Sequence, residues 1–449
     1  MTRRKLFMRT MGAAAAAGPL FQVTAGQANT QGPINKNSPP SNLKITDMRA
    51  CRVAANYDYP IIRVDTNQGV YGLGEVRDAG VEGIALILKA HIVGKNPLDV
   101  RRILRSVRQF SGQGRMGGGY SALDMALHDI AGKVYGVPAY RLIGTKVRDR
   151  VRIYADTTDH PDPKIYAKRM AGRKAMGITF FKMDLHSNLV KSRPGALNER
   201  GVCTPKGLQY LCEYIQAIRD VIGWQAPLAA DHFGPLTVKD AIVYGRAFEP
   251  YQLAWAEDFI RWTDWKGYKT ITEATTTPTL TGEDCFGLEE SGFQLLIDNA
   301  AVNAIHPDPE TSGGLAETKR IADYAAVHGI QVALHHAGSP IGAMCGVHIA
   351  ATIENFLAME NHALDMPWWQ DLVAGIQKPL IKDGYYTVPE TPGLGLELND
   401  AVVKEHLRRP GYFEPTPVFD DKIVAGFTLG GPWPHYDEEG KWCNCVTYE

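Results

Sequence analysis

From residue 151 onward the chain repeats a two-part pattern, a short apolar run followed by a stretch whose apolar residues recur at helical spacing. Runs of this kind separated by helices predict parallel strands joined by helical crossovers. They fall at 151–156, 179–185, 227–232, 253–259, 279–284, 302–308 and 331–336, with a less clear eighth near 356–360. Eight such units suit a closed (β/α) barrel better than an open sheet.

The preceding stretch, 43–150, is mixed. Residues 49–65 and 69–76 predict a strand pair about a turn at Thr66-Asn67-Gln68-Gly69. A helix follows, with Ser121 as N-cap, a stripe of Leu123, Leu127, Ile130 and Val134, and Gly136 and Pro138 to end it. The region therefore reads as an α+β domain. At the start of the chain, Arg3-Arg4 precede a weakly apolar, Ala- and Gly-rich stretch and small residues at Ala25, Gly26 and Ala28. That layout predicts a twin-arginine signal peptide over 1–28 and a periplasmic or secreted protein. Residues 29–42, polar and rich in Pro, Gly and Asn, predict a linker.

Polar residues stand at the carboxyl ends of the predicted barrel strands: Asp231, Glu257, Glu283, Asp308, His335 and Glu360, at spacings of 26, 26, 25, 27 and 25 residues. In a barrel, side chains at these ends converge on one mouth, where barrel active sites lie. Carboxylates gathered there repel one another unless a cation or protons offset them. Asp231, Glu257 and Glu283 form an all-oxygen trio suited to Mg²⁺, one ion per chain, whereas Zn²⁺ would take more His or Cys. Strand alternation turns the adjacent Asp258 and Asp284 away. Asp308 and His335 end neighbouring strands, and a carboxylate on one imidazole nitrogen fixes the tautomer and raises the basicity of the other. Lys182 and Asp184, two apart, share a strand face, and His336 takes a core or rim role.

The 449 residues hold 48 Lys+Arg against 49 Asp+Glu, so the chain carries no basic footprint for nucleic acid. With 45% hydrophobic and 22% charged residues it is an ordinary globular chain, and past the leader nothing runs apolar long enough to span a membrane. Seven cysteines form no dense framework; Cys443 and Cys445 read as a tail disulfide or free thiols rather than half a metal site.

Taken together these motifs resemble the enolase superfamily, in its mandelate racemase and acid-sugar dehydratase branch. Gly69–Glu75, 121–136 with Pro138, and Leu142-Ile143-Gly144 resemble its N-terminal capping domain and the junction with its barrel. The resemblance implies an α/β fold, a modified (β/α) TIM-type barrel over 151–400 with a capping domain over 43–150. Pro392-Gly393-Leu394-Gly395 resembles the segment that rejoins the cap, which residues 401–449 would then meet. Asp231, Glu257 and Glu283 match the family's metal carboxylates, and Asp308 with His335 its Asp-His dyad. A homo-oligomer is implied likewise.

Departures from the family pattern bear on the reaction. Racemases of the branch carry Lys-x-Lys on the second strand; here the second Lys is Asp184, as in galactonate-type dehydratases. Those usually show Asp-x-His on the third strand, where this chain has Asp231-His232-Phe233. The expectation is a Mg²⁺-dependent dehydratase of an aldonic or aldaric acid, passing through an enediolate to a 2-keto-3-deoxy acid. His335 takes the α-proton, Lys182 stabilises the intermediate, and Asp184, His232 and Glu360 contact the small-molecule carboxylate substrate. His335 or His232 returns a proton to the leaving hydroxyl. The alternatives are a racemase, epimerase or cycloisomerase, and a non-catalytic periplasmic sugar-acid binder. An insertion at 187–205 is placed to reshape the mouth.

Overall fold

In a computed structural model, residues 42–289 and 292–420 are described. The expected signal peptide, the linker up to residue 41, and the tail beyond 420 with Cys443 and Cys445 lie outside them. The N-terminal part is an antiparallel sheet of β1 (Ile45–Ala54), β2 (Asp58–Thr66) and β3 (Tyr71–Glu75), in that order. The span 49–65, expected as one arm of a strand pair, is therefore two strands. The chain reverses at 55–57, where the Ala55 amide donates to Tyr57 O at 3.1 Å and the Tyr59 hydroxyl donates to Asn56 Oδ1 at 2.5 Å.

The helix Gly118–Tyr135 lies against this sheet at backbone contact. A Cβ on Gly74 would stand 2.0 Å from the Ala122 carbonyl oxygen, and one on Gly72 2.0 Å from that of Ala126. The helix starts before Ser121, which is an interior residue rather than the expected N-cap. Its hydroxyl instead donates to Gly117 O at 3.3 Å and accepts from the Gly313 amide at 3.0 Å. The earlier start is possible because Gly119 has no side chain: a Cβ there would sit 2.0 Å from Ile84 O. The end is as expected, at Gly136 with φ +70°.

The barrel strands are β4 (Arg150–Ala155), β5 (Phe181–Asp184), β6 (Leu228–Asp231), β7 (Trp255–Glu257), β8 (Thr279–Thr281), β9 (Ala304–Ile305), β10 (Gln331–Leu334) and β11 (Phe356–Asn361). Each pairs in parallel with the next, and β11 closes on β4 with Glu360 opposite Tyr154 and Asn361 opposite Ala155. The interior is layered, as closed barrels are. One strand position each supplies an apolar plug of Tyr154, Phe180, Ala229, Trp255, Leu280, Ala304, Ala333 and Ala358. Moving two residues along every strand, one pleat period, gives Asp156, Lys182, Asp231, Glu257, Gly282, His306, His335 and Glu360. A charged ring thus sits directly on the plug. At β8 the ring position is Gly282, whose φ of +127° breaks the alternation and lets Glu283 enter in its place.

Beyond the barrel the chain returns to the first part. The Ala139 amide donates to Gly393 O at 2.8 Å, the Leu394 amide to Asp129 Oδ1 at 2.8 Å, and the Arg408 amide to Arg52 O at 2.8 Å. Gly393, Leu394 and Arg408 thus tie the chain after the barrel to the first part. The insertion 187–205 packs against the helix Pro205–Ile222, whose Tyr214 hydroxyl donates to Leu189 O at 3.0 Å. Cys51, Cys203, Cys212, Cys285 and Cys345 are free thiols. Among the described residues no helix is long and apolar enough to cross a membrane.

Two stability predictions follow from the packing. Gly74→Ala pushes a methyl into backbone and should cost about 1–3 kcal/mol or more. Gly172→Ala, in the helix Pro163–Ala175 with open space around it, should be neutral or stabilise by about 0.4–1 kcal/mol. Equal melting temperatures for the two variants would contradict this. Second, burial holds His348 down at about 4, where its Nδ1 accepts from the Tyr140 amide at 3.3 Å. Between pH 6.5 and 4 the unfolded chain takes up a proton that the folded chain refuses, so stability falls as pH drops through that window. Denaturant melts at pH 7 and 4.5 should show about 2–3 kcal/mol more acid loss in the wild type than in His348→Gln.

Candidate active site

The ring residues meet at the carboxyl end of the barrel. Lys182 on β5 is 1% exposed, and its ammonium lies 3.0 Å from Asp231 Oδ2, 2.9 Å from Glu257 Oε1 and 2.8 Å from Glu360 Oε1. Each of the deeper carboxylates has further support. Trp255 donates to Glu257 Oε2 at 2.9 Å, and the Tyr154 hydroxyl lies 3.1 Å from Glu360 Oε2 and 2.5 Å from His306 Nε2. His306 Nδ1 stands 3.1 Å from Glu257 Oε1. A buried ammonium without such partners would be strongly disfavoured.

On the next strands, His335 Nδ1 is 2.5 Å from Asp308 Oδ2, so the expected dyad is assembled. Its Nε2 points to Glu283 Oε2 at 3.1 Å and lies 3.6 Å from Glu360 Oε2. The basicity of His335 departs from expectation. Burial, and then Arg77, hold it well below the ordinary histidine range, outweighing the carboxylates around it. Arg77 was not foreseen. It follows β3 in the N-terminal part, its side chain is 2% exposed, and it ion-pairs with Asp308, reaches Glu283 Oε1 at 3.2 Å and touches His335 Nδ1.

The remaining expected residues separate. Asp184 binds His232 Nδ1 at 3.0 Å rather than Lys182, and it is held below the usual carboxylate range, its burial outweighed by His232. His232 has φ +61° and a side chain 62% exposed, so it stands on the rim between Asp184 and Asp231. Asp258 turns away as expected and accepts from the Thr281 hydroxyl at 2.5 Å. Asp284 faces the N-terminal part, 3.0 Å from Arg115 Nε. His336 is a core residue, its Nδ1 3.3 Å from Glu310 Oε1. Besides Arg77 and His306, the sequence reading missed His362, whose Nε2 is 3.0 Å from Glu360 Oε1 and whose Nδ1 is 3.3 Å from Asp156 Oδ2. Period-two spacing was the available signal: His306 stands two before Asp308 and His362 two after Glu360.

The carboxylates and histidines of the mouth could hold a metal ion, but they do not assemble as the expected all-oxygen trio. Burial, and then Glu257, push Asp231 up to about 7, the mark of carboxylates crowded without enough positive charge. Among the described residues, four groups of three hold one ligand atom each within 4.8 Å of one another. The expected trio is divided between two of them, Asp184/Asp231/His232 and Glu257/Glu283/His306; the others are Asp78/Asp308/His335 and His335/Glu360/His362.

Comparison with known proteins places this geometry. Residues 38–144 match the mandelate racemase / muconate lactonizing enzyme N-terminal domain, and residues 166–402 match the enolase C-terminal domain-like family. A D-xylonate dehydratase of Haloferax volcanii is 35% identical over 82% of this chain and 89% of its own length. A D-mannonate dehydratase of Novosphingobium aromaticivorans is 26% identical over 82% and 96%. The crystal structure of a mandelate racemase/muconate lactonizing enzyme-like protein from Rubrobacter xylanophilus superposes with a TM-score of 0.77 at 30% identity, over 83% of this chain and all of that one. With both parts of the chain matched in order, this protein is an enzyme of the enolase superfamily and belongs to its mandelate racemase/muconate lactonizing enzyme family.

Proposed function

We propose that the enzyme dehydrates a sugar acid, aldonic or aldaric, to a 2-keto-3-deoxy acid. The observation that carries the reading is the pairing of one buried base, His335 on Asp308, with one immobilised cation, Lys182, across Glu360. The relatives named as dehydratases of xylonate and mannonate support it.

His335 Nε2 removes the proton beside the substrate carboxylate, and Asp308 holds the ring so that this nitrogen faces inward. Lys182 sits where negative charge develops, and one well-placed donor of this kind is worth about 3–4 kcal/mol. Asp231, Glu257 and Glu283 would hold Mg²⁺, which when bound supplies Lewis-acid stabilisation of the substrate carboxylate. Asp184, His232 and Glu360 are assigned to the substrate, with His232 on the rim where a long polyol chain would emerge. Two-base racemisation is disfavoured because the ammonium of Lys182 is already bound by three carboxylates. A homo-oligomer, and export directed by Arg3-Arg4, complete the proposal.

Two experiments test it. Glu257→Gln should remove magnesium binding by calorimetry and lower turnover by at least about 10²-fold, in a protein that still folds; normal binding would refute the ligand assignment. With a panel of aldonic and aldaric acids, the wild type should form a 2-keto-3-deoxy acid and His335→Asn should form none. If the main product in D₂O is instead an inverted, deuterated substrate, the enzyme is an epimerase.

A further inference from the structure

Dehydration needs a proton delivered to the departing hydroxyl, and neither His335 nor His232 is well placed to supply it. His335 receives the α-proton, and His232 stands on the rim with its side chain 62% exposed and its Nδ1 committed to Asp184. The closing seam of the barrel holds a third histidine. Asn361 pairs with Ala155 in register across β11 and β4, and the Asp156 amide donates to Asn361 O at 3.2 Å. That register sets Asp156 beside His362, whose Nδ1 lies 3.3 Å from Asp156 Oδ2. Its other nitrogen, Nε2, is sealed from solvent and lies 3.0 Å from Glu360 Oε1, a carboxylate of the barrel mouth.

We infer that His362 is the general acid of the reaction, donating its Nε2 proton to the β-hydroxyl as the carbon–oxygen bond breaks. The inference rests on the dehydratase reading above. The rings of His362 and His335 are 6.0 Å apart, centroid to centroid, and come from adjacent strands. Acid and base therefore approach the substrate from one side, the geometry of a syn elimination. In the step, His335 takes the α-proton and the C–H electron pair becomes the new double bond. The C3–O bond breaks with its pair on oxygen, His362 protonates that oxygen to water, and the enol becomes the 2-keto acid. His362 regains a proton, and His335 loses one, before the next turnover.

The surroundings suit an acid. Burial opposes the charge on His362, yet Asp156 and Glu360 push it up to about 9, so it enters the cycle protonated. Lys182 and His335 are the positive or ionisable groups opposing it across the mouth, Asp184 adds to the negative side, and Tyr57 from the N-terminal part covers the ring edge-on at 6.0 Å. Asp156 is then a positioning residue that acts through His362.

The test compares leaving groups, because fluoride departs without protonation and hydroxide does not. The probes are the aldonic acid the wild type turns over and its 3-deoxy-3-fluoro analogue, which give the same keto acid. His362→Asn should lose water elimination by about 10²–10⁴-fold, eliminate fluoride within a few-fold of the wild type, and keep exchanging the α-proton in D₂O. Asp156→Asn should show a smaller loss with the same selectivity, so a poorly folding His362 variant does not end the test. Equal losses of water and fluoride, or no loss of either, would overturn the assignment alone. A wild type that eliminates neither group from any acid tested overturns the dehydratase reading, and this assignment with it.

Discussion

Everything in the barrel mouth depends on keeping an ammonium and its carboxylates dry together. Lys182 and its three partners have been taken out of water at a cost of several kcal/mol per ion, recovered only if their geometry stays tight. The plug beneath them enforces that geometry. Tyr154 and Trp255 pack edge to face at 5.3 Å in the apolar layer, and each also sends its polar atom upward, to Glu360 and Glu257. The same side chains thus fill the core and orient the charges, which is why the ring can be both buried and fixed.

The N-terminal part completes this arrangement. Arg77 brings to Asp308, Glu283 and His335 a positive charge from outside the barrel. Its position is set by Glu75, two residues earlier, which accepts from the Ser339 amide at 2.8 Å, the Ser339 hydroxyl at 2.5 Å and the Gly342 amide at 3.0 Å. Those donors lie at the start of the helix Pro340–Ala350, just after His335, where free amides favour a carboxylate. The short stretch from Glu75, at the end of β3, to Arg77 therefore grips the helix that follows the base and sets a cation against the base's partner.

Much of this was legible in the sequence. The alternation of apolar runs identified the barrel, and even spacing of acidic residues located its mouth, because a repeating βα unit returns the chain to the same end at regular intervals. Asp231, Glu257, Glu283, Asp308, His335 and Lys182 all stand in the mouth. What escaped was the residue two places along from one already credited, as with His306 beside Asp308 and His362 beside Glu360, and anything arriving from a distant element, as with Arg77. Ser121 misled because a serine followed by an acidic residue resembles a cap, while the helix start was decided by tertiary space around Gly119. The electrostatic balance at His335 was equally out of reach, since it depends on a guanidinium 258 residues away in the chain.

That separation has a consequence for how the protein is made. The barrel carboxylates that pair with Arg77 and the amides that hold Glu75 come from residues 283–342, the barrel seam closes only when β11 has been synthesised, and β1 is paired near its end by Leu407. Emerging from the ribosome, residues 42–135 can form their sheet and helix, yet the guanidinium of Arg77 waits for Glu283 and Asp308, which appear only when most of the chain is out. Contacts of such long range slow folding and leave polar groups uncompensated in partly built states. Catalytic competence is therefore the last property this chain acquires, and a nascent or truncated product ending before the seam would be not a weaker enzyme but an inert one.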